Sequence, residues 1–337
     1  MVVAISPQSS CLFILTADNS QLVKTMLSEN QLLNWNSDGV VISKEQKQFY
    51  LKNGYVVVPK LIDQKSIDVY TQRFQDICSG KCPKTALMLL MRDVVVAKTG
   101  DKEISENSLN KITNFMEDEV LWDYCQQPKI VNGVKDLIGH PDSCILAMNT
   151  MVINKPPDLG KLSSRHPLHQ DLHYFPFRPS DFICCAWTAM EKITRANGCL
   201  VVVPGSHLGP LLEHGYPEWE GNVNTAYHGI TSYSPNMNMI HLEMDSGDTV
   251  FFNPLLIHGS GANRTQGYRK AITAHFANDD FCRYLPKENP ALKFVAEDFD
   301  KIIAKYLNKK GLNDTDLNYQ DFWSIRAKEV CGIRSNL

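Results

Sequence analysis

The sequence predicts a mainly β protein with helical cover, built around a double-stranded β-helix core of the jelly-roll, cupin-like type. From residue 144 onward, short β-branched and apolar runs are separated by turns such as Pro204-Gly205-Ser206, a rhythm typical of a jelly-roll barrel. Helical periodicity is concentrated before these runs and returns after them. With 337 residues and 43% hydrophobic content, the chain is long and apolar enough for a large core.

The first part of the chain carries helical signals with definite starts and ends. Ser43, followed three residues later by Gln46, predicts a capping box at the start of a helix, and Gly54 predicts its end. The elements predicted next are a strand at 55–58, a helix at 63–77 with a stop at Gly80, and a helical pair at 117–137.

The second part carries the strands of the predicted barrel. Vicinal Cys184 and Cys185 lie in one of the apolar runs, where we interpret them as small apolar side chains in a buried strand. The last sixty residues return to helical patterning around 299–306. The predicted strands are 144–153, 182–189, 199–203, 249–257 and 270–276.

A His-x-Asp pair at His169 and Asp171 indicates a metal site. Side chains two residues apart on an extended strand point to the same side, so both can bind one ion. His258, at the end of an apolar run and followed by glycine, is the candidate third ligand. Two imidazoles and one carboxylate suit Fe(II), and three protein ligands leave three positions free for reactants.

The spacing alone leaves other histidines open. His166, His173 and His207 compete for the histidine roles, and His173 is in register with Asp171, so an Asp171/His173 pair is an alternative. Arg269 adds a second signal, because a guanidinium eleven residues beyond His258 can hold a distal carboxylate in bidentate fashion. The metal motif together with this arginine predicts a 2-oxoglutarate site.

Five longer runs of the sequence are distinctive: 151–158, 164–179, Pro204-Gly205-Ser206-His207, 247–252 and Ile257-His258-Gly259-Ser260-Gly261. These runs resemble the phytanoyl-CoA dioxygenase family of Fe(II)/2-oxoglutarate-dependent oxygenases. The resemblance extends from about residue 43 to the C-terminus.

The resemblance implies the roles of individual residues. His169, Asp171 and His258 are implied as iron ligands, and Arg269 as the residue that binds the 2-oxoglutarate carboxylate. Further co-substrate contacts are implied at Lys111, Met151, Trp187 and Ser260. It also implies Fe(II) as cofactor, 2-oxoglutarate and O2 as co-substrates, and ascorbate in support.

The implied reaction is the 2-hydroxylation of phytanoyl-CoA and related 3-methyl-branched acyl-CoAs in peroxisomal α-oxidation. It is coupled to decarboxylation of 2-oxoglutarate to succinate and CO2. Residues 39–337 are then expected to form a single oxygenase domain after an N-terminal extension at 1–38, for which flexibility is expected. Ser335-Asn336-Leu337 resembles a Ser-Lys-Leu address, so a peroxisomal import receptor is a candidate partner, and residence in the peroxisome is expected.

Two groups of residues are candidates for contacts with an acyl-CoA. Aromatic residues near the motif can form an apolar wall, with Tyr174 or Phe175 lining an acyl channel, although ordinary core packing is the favoured interpretation. Basic residues before the motif can meet coenzyme A phosphates, although a solvated basic loop is favoured. The aromatic residues are Tyr174, Phe175, Phe177 and Trp187, and the basic residues are Lys155, Lys161 and Arg165.

The composition of the chain argues against several classes of function. A net charge of −3 provides no basic field, so nucleic acid is not an expected partner. No run reaches the length of a membrane span, and the ten cysteines are irregularly spaced, as expected of reduced thiols. Alternatives to the leading function are an oxygenase of another acyl-CoA or small molecule, and a non-catalytic metal- or ligand-binding protein. A zinc hydrolase is weaker, because no carboxylate base stands beside the proposed ligands.

Overall fold

The computed structural model describes residues 3–5, 12–14, 25–27, 35–93, 104–158, 160, 164–219, 227–234, 236–300, 318–334 and 336–337. Residues 293–300 are also helical. The helices with both ends in this part of the chain are α1 (Lys44–Asn53), α2 (Gln64–Cys78), α3 (Glu119–Gln126), α4 (Pro128–Ile138) and α5 (Tyr319–Arg326).

The predicted start and end of the first helix are confirmed. Ser43 caps α1, and its side chain and that of Gln46 accept the two reciprocal hydrogen bonds of a capping box. Gly54 ends the helix in the left-handed conformation at φ 82°, which glycine adopts without the steric cost of a side chain. Local sequence therefore determines both ends of this helix.

The strands are numbered in chain order. They are β1 (Val3–Ile5), β2 (Leu12–Ile14), β3 (Thr25–Leu27), β4 (Tyr55–Val58), β5 (Leu89–Arg92), β6 (Leu109–Thr113), β7 (Ile145–Lys155), β8 (His166–His169), β9 (Phe177–Arg178), β10 (Ile183–Ala189), β11 (Leu200–Val202), β12 (His214–Gly215), β13 (Gly229–Ile230), β14 (Ile240–Leu242), β15 (Thr249–Phe252), β16 (His258–Ser260), β17 (Arg269–Asn278), β18 (Arg283–Tyr284) and β19 (Lys328–Cys331).

Two antiparallel sheets form the core. The larger has the order β4-β15-β10-β17-β7-β6-β5, with β19 also paired to β7, and the smaller has the order β14-β11-β16-β8. Strands that follow one another in sequence, such as β10 and β11 or β15 and β16, alternate between the two sheets. Side chains from both sheets share one buried cluster, in which Trp187 and Val250 meet Leu200 and Leu242. The predicted jelly roll is confirmed.

Helices cover the outer face of the larger sheet. The predicted apolar face of α2 is buried in one cluster with side chains of α3, α4 and the sheet. Gly133 in α4 permits the close approach, because a Cβ there would lie 2.7 Å from the Phe251 ring. Helix α5 closes the opposite side through Trp323, which packs edge-to-face on Phe175 and Phe177.

Several elements differ from the sequence prediction. The strand expected at 249–257 ends at Phe252, because Asn253 and Pro254 start a turn. Strand β19 was not predicted, and of the helix expected around 299–306 only 299–300 lie within the described residues, where they are helical. Strands β1, β2 and β3 pair with one another in the extension. The flexibility of 1–38 and the domain division stay predictions.

Two further structural features concern the predictions from composition. The nine cysteines that it describes are all free, and seven of them are buried. Within the described helices, none has the length and apolar character needed to cross a bilayer.

Candidate active site

One cavity opens between the two sheets, and its lining brings together every predicted site residue. The strands β7, β10, β16 and β17 supply about half of the lining residues, since alternate side chains of each strand point inward. The predicted residues in this lining are Lys111, Met151, His169, Asp171, Trp187, His258, Ser260 and Arg269.

Two imidazoles and a carboxylate converge at one end of the cavity. The Nε2 atom of His169 lies 3.2 Å from Oδ1 of Asp171, and the Nε2 atom of His258 lies 3.7 Å from Oδ2. One donor atom from each of the three residues falls within 4.8 Å of the others. His169 and His258 are paired across strands β8 and β16, so backbone pairing brings the remote histidine to the motif.

Backbone carbonyls hold both imidazoles in the required tautomer. Nδ1 of His169 lies 2.9 Å from the Pro167 carbonyl oxygen, and Nδ1 of His258 lies 2.9 Å from that of Leu256. A carbonyl only accepts, so each Nδ1 must be the protonated donor. Both Nε2 lone pairs are therefore free to bind a metal, with the outer-sphere support typical of metal-binding histidines.

The environment favours the protonation states that a metal requires. Burial, together with the neighbouring His169, lowers the pKa of His258 to about 4, so the imidazole is neutral at pH 7. Burial acts to raise the pKa of the Asp171 carboxyl, but the neighbouring His258 and the hydrogen bond donated by His275 together lower it well below its ordinary value. Neutral nitrogen and anionic oxygen donors are the set that Fe(II) prefers.

The other three candidate histidines lie in different surroundings. His166 lines the cavity and packs edge-to-face on His169 at 4.2 Å. His173 instead forms a hydrogen bond with His228, with Nε2 and Nδ1 3.0 Å apart, and His207 donates to the Leu51 carbonyl. Neither His173 nor His207 belongs to a group of converging metal donors within the described chain.

Arg269 lies in the cavity wall and is buried there. Its side chain donates one hydrogen bond, from Nη2 to the Gly198 carbonyl at 2.7 Å, and Nε has no hydrogen-bond partner. No carboxylate of the described residues forms an ion pair with it, and burial lowers its pKa to about 10. The Trp187 ring lies 5.4 Å from the guanidinium carbon. A buried cation without an anion is costly, so the site is suited to an anionic ligand.

The remaining predicted contacts line the same cavity. Lys111 projects from β6 and places its Nζ 4.3 Å above the ring of Tyr227. Met151 lies on β7 and pairs across the sheet with Thr273. Thr273 follows Arg269 by four residues and lies on the same face of β17. Ser260 ends β16, two residues after His258. The cavity therefore has a metal-donor end and a cationic end.

Several residues of the cavity were not predicted from the sequence. His275 donates from Nε2 to Oδ2 of Asp171 at 2.7 Å, and Tyr227 packs on His166 at 4.1 Å. Strand alternation counted from Arg269 would have indicated Thr273 and His275, because both lie an even number of residues away on β17. No comparable signal marks Tyr227, since it lies between predicted elements.

Of the two expectations about substrate contacts, one needs correction. The favoured solvated loop is wrong for Lys155, which is 6% exposed, lines the cavity and donates to the carbonyls of Ser164 and Gly261. Arg165 packs 3.8 Å above the Trp219 ring, and Lys161 lies outside the described residues. Phe175 and Phe177 lie in the buried core, and neither they nor Tyr174 line the cavity, in agreement with the favoured interpretation.

A jelly roll whose cavity holds a two-histidine, one-carboxylate group opposite a buried arginine is typical of iron- and 2-oxo-acid-dependent oxygenases. Comparison with known proteins gives the family. The family model for phytanoyl-CoA dioxygenase (PhyH) matches residues 50–271, and the chain belongs to this family. The expected family, enzyme class and cofactors are thereby confirmed: the chain is an Fe(II)- and 2-oxoglutarate-dependent dioxygenase.

Relatives match over nearly the whole chain. The chain is 55% identical to a probable phytanoyl-CoA dioxygenase of Caenorhabditis elegans, over 91% of this chain and 98% of that protein. It is 47% identical to the peroxisomal phytanoyl-CoA dioxygenase of Homo sapiens, over 91% of this chain and 88% of that protein.

A solved structure supports the fold. An epimerase of nogalamycin biosynthesis, in complex with Fe3+, alpha ketoglutarate and nogalamycin RO, aligns with a TM-score of 0.54 at 20% identity. The alignment covers 73% of this chain and 86% of that chain.

Proposed function

We propose that this protein 2-hydroxylates phytanoyl-CoA and related 3-methyl-branched acyl-CoAs. The reaction consumes 2-oxoglutarate and O2 and releases succinate and CO2. The observation that carries this proposal is the cavity whose lining gathers all eight predicted site residues. Identity of 47–55% to relatives named phytanoyl-CoA dioxygenase supports the choice of substrate.

His169, Asp171 and His258 are the residues that would hold the iron. They fit the ion because both imidazoles present an unprotonated Nε2 and the carboxylate is ionised. When bound, iron and 2-oxoglutarate supply the oxidising chemistry, in which decarboxylation of the oxo acid accompanies insertion of one oxygen atom into the substrate. The protein contributes binding, orientation and exclusion of water.

Arg269 would bind the distal carboxylate of 2-oxoglutarate. Its unpartnered Nε and its lack of an ion pair among the described residues leave donors for that anion. Trp187 covers the guanidinium and limits access of water, while Lys111, Met151 and Ser260 complete the co-substrate contacts. In this proposal the co-substrate spans the cavity, with its oxo-acid end at the metal donors and its distal carboxylate at Arg269.

The substrate carbon C2 must lie beside the metal end for regioselective hydroxylation. The apolar side chains in the lining, Met151, Ile153, Leu200 and Phe252, form a wall that a branched acyl chain can contact. Such a wall also keeps water from the reacting atoms, because the cavity surface there offers few hydrogen-bond partners.

We also propose residence in the peroxisome, supported by rat, human and bovine relatives that are named peroxisomal. Recognition of Asn336 and Leu337 by an import receptor stays a prediction. Both backbone N–H groups donate to the buried carboxylate of Asp279, and Leu337 is 6% exposed. A receptor would bind these residues only after that contact opens. We further propose residues 39–337 as one oxygenase domain.

The function is tested with anaerobically iron-loaded protein supplied with 2-oxoglutarate, O2 and phytanoyl-CoA. Succinate and 2-hydroxyphytanoyl-CoA are measured by mass spectrometry, with a straight-chain acyl-CoA and an assay without substrate as controls. Equal formation of both products with the branched substrate is expected. Succinate without hydroxylated product would reject this substrate class, and neither product from iron-loaded protein would indicate a binding role.

A further inference from the structure

Each histidine of the metal-donor group is oriented by a backbone carbonyl, and the carboxylate of Asp171 is oriented by another histidine. We propose that His275 is a positioning residue that fixes the Asp171 carboxylate for metal binding. The inference rests on the proposed function, because it takes Asp171 as a ligand.

The contact between the two residues is short and buried. Nε2 of His275 lies 2.7 Å from Oδ2 of Asp171, and the exposed fraction is 3% for His275 and 8% for Asp171. The amide Nδ2 of Asn149 lies 3.4 Å from Nδ1 of His275. An amide nitrogen only donates, so Nδ1 accepts and Nε2 carries the proton that is donated to Asp171.

The position of each residue in the fold explains why such support is needed. Asp171 begins a short 3-10 turn just after β8 ends, so sheet pairing does not fix its side chain. His275 lies on β17, which is paired on both sides, with Cys185 of β10 and with Asn149 of β7. The rings of Phe175 and Phe252 flank the imidazole at 5.1 and 6.5 Å. A rigid strand thus anchors a residue that lies on a turn.

The two carboxylate oxygens of Asp171 have different partners. Oδ2 is engaged by His275, while Oδ1 faces Nε2 of His169 at 3.2 Å. We expect the metal to be bound through Oδ1, which leaves more positions open for co-substrate and O2 than a bidentate carboxylate would. Outer-sphere partners of this kind typically change metal affinity 10- to 100-fold.

A second metal site is a poorer explanation of the same atoms. Asp171, Cys185 and His275 also place donor atoms within 4.8 Å of one another. The Cys185 thiol, however, shares a hydrogen bond with Thr273 at 3.2 Å, and Nε2 of His275 already donates its proton to Asp171. A protonated ring nitrogen has no lone pair for an ion, so this group lacks one of the three donors that a second ion would need.

The test measures Fe(II) binding directly, without turnover. The full-length protein is titrated with Fe(II) under anaerobic conditions in the presence of 2-oxoglutarate, and the visible absorption of the complex is followed. His275→Leu removes the donor, whereas His275→Gln retains an N–H donor at a similar reach. We expect His275→Leu to weaken Fe(II) binding by about 10- to 100-fold and His275→Gln to restore most of that loss.

His228→Leu is the matched control. His228 is also fully buried and also contacts a carboxylate, with Nε2 3.2 Å from Oδ2 of Asp298, but it lies outside the cavity lining. We expect this variant to keep the wild-type Fe(II) affinity. An equal loss in His228→Leu and His275→Leu, or wild-type affinity in His275→Leu, would overturn the inference.

The experiment separates failure of this inference from failure of the proposed function. Wild-type protein that does not bind Fe(II) would reject the function itself, whereas wild-type binding that is unchanged in His275→Leu rejects only the role of His275. If His275→Leu does not fold, Asn149→Ala provides a second route, because it removes the donor to Nδ1. A smaller loss of Fe(II) affinity is then expected, and wild-type Fe(II) affinity in Asn149→Ala would count against positioning.

Discussion

Two histidine-rich regions lie close together in this fold, and their difference shows what distinguishes a metal site from a structural cluster. In the cavity, His169 and His258 direct unprotonated Nε2 atoms toward one carboxylate. Beside it, His173, His214 and His228 form what we call the histidine stack. There, the rings of His173 and His214 are stacked with their centroids 4.4 Å apart, and His228 forms a hydrogen bond with Asp298.

The two regions contain the same residue types but use their nitrogen atoms differently. In the histidine stack, Nε2 of His214 accepts from the Gln170 backbone N–H, and its Nδ1 donates to the Leu212 carbonyl. His228 likewise uses both nitrogens, toward His173 and Asp298. Lone pairs already used in hydrogen bonds are not available to an ion. Convergence of free lone pairs, rather than histidine density, therefore identifies the candidate metal centre.

The largest expected effect comes from removing a member of the cavity group. His169→Ala or Asp171→Ala removes a direct donor, so iron-dependent turnover should fall by more than about 100-fold, the upper range for loss of an outer-sphere partner. The assay is the coupled formation of succinate and hydroxylated acyl-CoA at saturating Fe(II). Full activity in either variant would mean that a different set of ligands operates.

Arg269→Ala tests the cationic end of the cavity. Losing one partner of a buried charge pair costs about 3 kcal/mol, so the KM for 2-oxoglutarate should rise by roughly 100-fold. The KM for the acyl-CoA should change far less, because the guanidinium is assigned to the co-substrate. Arg269→Lys keeps the charge but loses the fork of donors, so its KM for 2-oxoglutarate is expected to lie between those of the wild type and Arg269→Ala. A larger effect on the acyl-CoA would contradict the assignment.

His173→Phe tests the histidine stack and the alternative Asp171/His173 pair. The substitution removes the partner of His228 Nδ1, so the free energy of unfolding should fall by about 1–3 kcal/mol, as measured by urea denaturation. Fe(II) affinity should stay at the wild-type value. Loss of Fe(II) binding at unchanged stability would restore His173 as a ligand.

An effect of similar size is expected in the pH dependence of stability, through His214. Burial lowers the pKa of His214 to about 4, and its Nε2 cannot take a proton without losing the Gln170 hydrogen bond. Between the unfolded pKa near 6.5 and about 4, the unfolded chain binds the proton and the folded chain does not. Stability should therefore fall as pH decreases through this window, by about 1–3 kcal/mol for this group.

His214→Asn serves as the comparison for that measurement. The variant cannot titrate in this range, so its unfolding free energy should depend less steeply on pH between 6.5 and 4 than that of the wild type. The measurement is denaturant unfolding at a series of pH values in metal-free protein. Parallel curves for the two proteins would show that His214 does not contribute to the acid dependence.

Local sequence was sufficient to predict the elements whose ends are defined by neighbouring residues. The capping box at Ser43, the glycine stop at Gly54 and the apolar face of α2 all involve residues within one or a few turns. Strand β19 was not predictable in the same way, because Lys328–Cys331 has little apolar alternation and is held by pairing with β7. Strands of that kind form because an edge is available elsewhere in the chain.

By itself, the sequence determined the jelly-roll class, the His-x-Asp motif and the spaced arginine, since strand alternation and residue chemistry are local properties. Tertiary structure alone decided which histidines meet Asp171, and it buried Lys155 against two carbonyls. It also brought His275 to the carboxylate across 104 residues of chain. The physical reason is that hydrogen bonds and desolvation depend on which strands become neighbours, and strand order is set by the packing of the two sheets as a whole.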